Sequence, residues 1–240
     1  MEVMAASPLF AGIGAAALKH MAGAFVRESW PKGREIANPQ ECARRFRLIV
    51  NGRVKITRAN PVDGREITLW LLGPGDGFDI VSLLDAEPHA VAASALDDVE
   101  TLAVALPVFE RWVEHSEPLR LAMHRYVAHQ LRAITDLASD LALYDTMTRL
   151  ARLLLRHFDT GASEQGARVN LIRNLPQSEL AALIGSVRVV VGRLVTALKH
   201  ERVVELRDGR LHVLDLKRLL RRAEAASRRV GHDTRGRTAT

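Results

Sequence analysis

The period of apolar and polar positions changes along this chain. From about Phe25 to Leu106, short alternating runs are separated by turn signals. Strands are expected at Val26–Trp30, Phe46–Val50, Arg53–Arg58, Glu66–Leu72, Val91–Ala95 and Glu100–Ala105. Between them lie Pro31-Lys32-Gly33, Asn51-Gly52, Asp63-Gly64, Gly73-Pro74-Gly75-Asp76-Gly77 and Asp97-Asp98. Asn-Gly and Asp-Gly pairs favour tight turns because both residues tolerate positive φ. Regularly spaced short strands predict a sandwich or barrel. Residues 7–22 ahead of it read as a short helical lead-in.

From Leu106 the period becomes helical. Pro107 suits the first turn of a short helix through about His115. Pro118 opens a long one. In it Met123, Val127, Gln130, Ile134, Leu137, Leu141 and Tyr144 are spaced 4-3-4-3-4-3. That spacing is a heptad seam, which predicts a dimer interface with Gln130 setting its register. The competing reading is a helix packed on its own domain. Another helix is expected at Thr146–Phe158, then a polar loop at Asp159–Gln165.

The most specific pattern lies at residues 175–214. An amphipathic run, Gln177 to Ile184, is followed by Gly185, which reaches φ > 0 at little steric cost. A second run, about Val187 to His200, follows at once. Ala181, Gly185, Val191 and Leu194 stand where two steeply crossing helices need a small residue, a turn and two apolar locks. Residues 203–207 and 210–214 then flank Asp208-Gly209, a hairpin signal. The expectation is a helix-turn-helix with a β wing, whose second helix enters a DNA major groove.

Charge agrees with that reading. The chain has 240 residues, room for two modest domains, and a formal charge of +6. From Pro176 onward there are 14 Lys/Arg against 7 Asp/Glu, so this quarter holds the whole excess. A basic module on a near-neutral body points to a polyanion partner for that module alone. Cys42 is the only cysteine, which excludes an intrachain disulfide and a four-cysteine iron–sulfur cluster in one chain. No basic-then-apolar leader and no apolar stretch of membrane length is present, so the expected location is the cytoplasm. No phosphate-cradling glycine loop, zinc-ligand spacing or nucleophile–base pair suggests an enzyme.

A β-roll, a long helix and a winged helix-turn-helix, in that order, resemble the cyclic-AMP-receptor/fumarate-nitrate-regulator (Crp/Fnr) superfamily of bacterial transcription factors. The likeness covers about residues 7–220. It rests on Pro8-Leu9-Phe10, Asn51-Gly52-Arg53-Val54-Lys55, Asp63-Gly64-Arg65-Glu66, Gly75-Asp76-x-Phe78, Leu83-Leu84-Asp85, Arg149–Leu154 and the 175–215 segment. The resemblance implies an α+β chain: a cyclic-nucleotide-binding-like jelly roll at 1–116, a dimerisation helix at 117–145 and a winged helix-turn-helix at 146–221. Residues 222–240 would be a basic, frayed tail. It implies a homodimer on a pseudo-palindromic double-stranded operator, a small signal in the β-roll, and RNA polymerase as a further partner, with no membrane role.

Departures from the family pattern narrow the signal. Cyclic-nucleotide-binding members usually continue Gly-Asp-x-Phe with Gly-Glu-Leu, and then Arg-Ser/Thr-Ala. Here Asp79 stands for Gly, Ile80 for Glu, His89 for Arg and Ala90 for Ser/Thr. Isoleucine accepts no hydrogen bond, and histidine lacks the permanent bidentate fork that suits phosphate. These four residues mark the effector pocket, and their chemistry argues against cyclic AMP. The effector is open. Haem is an alternative, with Cys42, His89, His115, His124 and His129 as potential ligands. A further alternative is a cyclic-nucleotide-binding module that regulates an enzyme or channel.

The reading helix departs too. Where the family commonly has Ser-Arg-Glu-x-Val-x-Arg, this chain has Val187-Arg188-Val189-Val190-Val191-Gly192-Arg193. Arg188 and Arg193 suit guanine or phosphate, and Val189 suits a thymine methyl. Ser186 suits capping of the helix or a phosphate contact. Gln177 suits a cap of the first helix or a contact to the DNA backbone, and Lys199, His200, Arg202, Arg207 and Arg210 are expected at that backbone.

Overall fold

The computed structural model describes residues 1–38, 44–78, 80–85, 87, 89–157, 171–172, 174–207 and 210–224. Cys42, Asp79, the Asp208-Gly209 turn, the 159–165 loop and the tail beyond 224 lie outside the described residues, as does the side chain of Arg210. The chain divides into two compact units, Met1–Ile134 and Thr135–Thr240.

The first unit opens with helix α1 (Glu2–Ala6), a 3-10 turn (Pro8–Phe10) and α2 (Ala15–Ala22). Strands β1 (Val26–Trp30), β2 (Glu35–Ala37), β3 (Arg45–Asn51), β4 (Val54–Ala59), β5 (Glu66–Leu72) and β6 (Gly77–Phe78) follow. Helix α3 (Ile80–Asp85), β7 (Ala92–Ala95), β8 (Val99–Ala105), α4 (Leu106–His115) and α5 (Glu117–Leu143) complete it, α5 running on into the second unit. The strands form two four-stranded antiparallel sheets, in the orders β1-β8-β3-β6 and β2-β7-β4-β5. This is a jelly roll. The six expected strands are present; β2, β6 and α3 are additional. Two- and three-residue strands are too short to show a period.

The strand alternation creates two cores. Phe46 and Leu48 of β3 join one with α1, α2, α4 and α5, while Ile49 joins Ile36, Ile56, Ala93 and Val99 in another shared by both sheets. Phe46 stacks on Phe109 of α4 with centroids 3.9 Å apart, and both rings are fully buried. Each such side chain contributes about 1.5–3 kcal/mol. Between β3 and β4 the chain turns at Gly52, with φ +81°. A Cβ there would lie 2.5 Å from the Asp98 carbonyl oxygen, so the position admits only glycine without a backbone shift.

The start of the expected seam packs inside its own unit. Met123 is fully buried in the core of its own unit, and Val127 packs against that core. Gln130 hydrogen-bonds Tyr126, whose hydroxyl donates to the Gly77 carbonyl at 3.1 Å. Burial, with the Asp76 carboxylate alongside, holds the Tyr126 hydroxyl well above its ordinary pKa. Ile134 and Leu137 are half-buried, and Leu141 touches Gly185 in the second unit. An exposed apolar stripe lies one position further on, at Leu121, Leu131, Ala138 and Ala142, with Leu131 65% exposed. One helical position turns a face by about 100°, and the strand surface against α5 decides which stripe is covered.

The second unit holds α6 (Thr146–Arg156), α7 (Gln177–Leu183), α8 (Arg188–His200), β9 (Val204–Arg207), β10 (Arg210–Val213) and α9 (Leu216–Glu224). Its core unites Leu150, Leu154, Leu180, Ala181, Val191, Leu198 and Leu219. Asp145 caps α6 by accepting from the Thr148 N–H at 2.8 Å. α9 is an addition to the sequence reading. Leu219 and Ala223, one turn apart, are buried, and Asp215 accepts from the Arg218 N–H at 2.9 Å. Arginines on either side hide that short apolar pair.

Candidate functional site

α7 and α8 meet at 102°, the steep crossing of a helix-turn-helix. Gly185 makes the turn with φ +60°, and Ala181 and Val191 are buried where the helices cross. Gln177, the first residue of α7, brings its Oε1 to 3.0 Å from where a Cβ on Gly192 would stand. Gln177 therefore rests on α8, and Gly192 gives it room.

One face of α8 buries Val191, Val195 and Leu198. The other exposes Arg188, Val189, Arg193, Thr196, Lys199 and His200. Val189 is 63% exposed. An apolar side chain so exposed to water gains little from burial on folding, and its chemistry suits a thymine methyl. Thr196, absent from the sequence reading, lies between Arg193 and His200 at helical spacing and donates to the Gly192 carbonyl at 2.9 Å.

Ser186 is corrected as a cap. The residue before α8 is Val187, and no side chain caps the helix. Ser186 instead donates its backbone N–H to the Ala181 carbonyl at 2.8 Å, closing the turn. The last turn of α8 ends with Arg202 at φ +55°, its N–H bonded to the Lys199 carbonyl and that of Val203 to Leu198. This is a C-cap usually served by glycine. The wing pairs Arg207 with Arg210 and Val204 with Val213. Arg207 also forms an ion pair with Glu205.

Of the four residues expected to mark the effector pocket, Ile80, His89 and Ala90 lie among the described residues. Ile80 is buried with Leu83 in the apolar core beside the helices, not in the interior shared by the two sheets. His89 packs edge-on to Trp70 with centroids 6.1 Å apart, and its backbone N–H donates to Ser82 Oγ at 3.3 Å. Ala90 is exposed. Of the other histidines, His115 shares its Nδ1 with the Arg111 carbonyl at 2.7 Å, and His124 and His129 are exposed on α5. Among the described residues no group of three or more His, Cys, Asp or Glu is placed to hold a metal ion, and no single helix is long and apolar enough to cross a membrane.

A jelly roll followed by a long helix and a winged helix-turn-helix defines a class, the two-module transcription regulators. Residues 27–116 match the cyclic nucleotide-binding domain family, and residues 148–222 the Crp-like helix-turn-helix domain family. The chain is 32% identical over 213 residues to the cyclic AMP receptor protein of Thermus thermophilus, covering 88% of this chain and 94% of that protein. It is 27% identical over 222 residues to the CRP-like cAMP-activated global transcriptional regulator of Mycobacterium tuberculosis, covering 92% and 99%. The solved structure of the c-di-GMP responsive global regulator CLP of Xanthomonas campestris shares the fold, with a TM-score of 0.70 at 19% identity over 84% of this chain and 100% of that one. The chain belongs to the Crp/Fnr superfamily of transcription regulators.

Proposed function

We propose that the chain is a homodimeric, sequence-specific DNA-binding regulator whose sensor does not use a cyclic nucleotide. Residues 1–116 serve as the sensor, 117–145 as the dimer helix and 146–221 as the DNA-reading module. The observation that carries the reading is the exposed face of α8, where Arg188, Val189 and Arg193 stand clear of the buried Val191 and Val195. The arginines read guanine or phosphate, and Val189 reads a methyl group. Lys199, Arg207 and Arg210 meet the backbone and set register. A second copy across α5 presents a second reading helix about 34 Å away, one turn of DNA. The exposed Leu131 stripe supports that interface. RNA polymerase is the further partner of a regulator bound beside a promoter.

The sensor residues do not fit a cyclic phosphate. The position that accepts from the ribose in nucleotide-binding members is Ile80, sunk in an apolar core, and the position that pairs with phosphate is His89, packed on Trp70. An operator selected from random duplexes and assayed by gel shift tests the reading. Arg188→Ala and Arg193→Ala should each weaken binding by about 1–3 kcal/mol. Full affinity in both would overturn the assignment of the helix. Cyclic AMP should leave the melting temperature unchanged, because a ligand at a hundredfold excess over Kd would stabilise by about 2.7 kcal/mol.

A further inference from the structure

The first unit carries a basic cavity lined by none of the residues assigned to DNA reading. Its volume is about 560 Å³, and its walls include Trp30, Arg34, Asn38, Arg44, Arg45 and Arg47, with Glu35 beside them. That volume lies within the roughly 300–1,000 Å³ of small-molecule sites. The residues come from the end of β1, the β2 region and the start of β3, so two sheets converge on one concave surface.

The electrostatics are unusual for a jelly-roll strand. Arg47 is 8% exposed, on a β3 position flanked by the core residues Phe46 and Leu48. Its Nε donates to Glu28 Oε2 at 2.9 Å, and its guanidinium lies 5.8 Å from the Trp30 ring centroid. The same Glu28 accepts from Arg45 at 3.0 Å. One carboxylate thus serves two guanidiniums. Arg34 and Arg44 line the same cavity with no ion pair or side-chain hydrogen bond among the described residues. Trp30 is held rigid by its Nε1, which donates to the buried Thr101 hydroxyl at 3.2 Å. Among the described residues, four guanidiniums against Glu28 and Glu35 leave positive charge in excess around a fixed aromatic wall.

We propose that this cavity binds a small phosphate polyanion, with Arg34 and Arg44 as its primary contacts and Arg45 and Trp30 completing the wall. Guanidinium forks match phosphate oxygens two at a time, and several charges are needed to engage several forks. A monocarboxylate would leave most of the excess unanswered. The site is separate from the positions of Ile80 and His89, and it stands or falls independently of the DNA-reading assignment.

Titration calorimetry of the full chain with inorganic tripolyphosphate and with ATP tests the site, with tryptophan fluorescence as a second readout. Binding is expected for tripolyphosphate, weakening with salt. Arg34→Gln with Arg44→Gln should weaken it at least about tenfold per guanidinium lost, with the melting temperature of the free protein unchanged. Glu35→Gln should tighten it, and Trp30→Phe should remove most of the fluorescence response. ATP equal to tripolyphosphate assigns recognition to phosphate alone; tighter ATP binding adds a base contact at Trp30. Arg188→Ala with Arg193→Ala should leave binding intact. Loss in that variant, retention in the Arg34/Arg44 variant, or no heat at millimolar ligand would overturn the proposal.

Discussion

Arg152 of α6 donates its Nε–H to the carboxylate of Asp140, near the end of α5, at 2.6 Å. Arg156 reaches the second oxygen at 2.8 Å, and Arg152 also lies over the Tyr144 ring, 4.7 Å from its centroid. Asp140 is 1% exposed, and among the described residues these two guanidiniums donate to its two oxygens. Removing a partner of a buried pair costs about 3–5 kcal/mol. The arginines here are about a third exposed and regain water, so Asp140→Ala should cost less, about 2–3 kcal/mol. Urea unfolding of the second unit measures it, and a change below about 0.5 kcal/mol would show the latch to be idle.

The glycines at 52 and 192 should respond oppositely to alanine. At Gly52 the new Cβ meets backbone at 2.5 Å with φ +81°. Gly52→Ala should destabilise by about 2 kcal/mol or more. At Gly192 the nearest atom, at 3.0 Å, is the movable end of the exposed Gln177 side chain. Gly192→Ala gains helix propensity of up to about 1 kcal/mol and should be neutral or stabilising. Thermal melts of both variants decide it.

The dimer face separates two residues that share a helix. Leu131→Asp places a charge on the 65% exposed position, and should yield folded monomers in sedimentation with little operator binding. Met123→Ala empties a fully buried site and should cost about 2–5 kcal/mol of stability while leaving the association state of the folded protein unchanged. A folded Leu131→Asp chain that still sediments as a dimer would move the interface elsewhere.

His157 gives unfolding a pH dependence. Burial, aided by the Arg156 charge, lowers its pKa from 6.5 to about 4. Below pH 6.5 the unfolded chain takes up a proton that the folded chain refuses until about pH 4. Stability is therefore full above pH 6.5 and falls as pH drops toward 4, by on the order of 3 kcal/mol. His157→Gln should flatten that slope. Asp97, held below its ordinary 3.8 chiefly by its hydrogen bond from Arg53, contributes only at lower pH. An unchanged slope between pH 6.5 and 4 in the variant would assign the dependence to other groups.

Local sequence determined much of this protein. The helix-turn-helix was legible because Ala181, Gly185 and Val191 act through short-range sterics: a small contact, a positive φ and an apolar lock. The turn at Asn51-Gly52 and the six longer strands were legible for the same reason, since period and turn chemistry are local. Only the tertiary structure decided which stripe of α5 is covered. The apolar positions allow two adjacent seams, and the packing of Met123 and Val127 against the first unit's core chooses between them. It likewise sank Ile80 into an apolar core, made Asp140 the partner of two arginines sixteen or fewer residues away, and gathered Trp30, Arg34, Arg44 and Arg47 around one cavity. Those relations depend on which elements become neighbours, and packing between elements leaves no periodic signature in the chain.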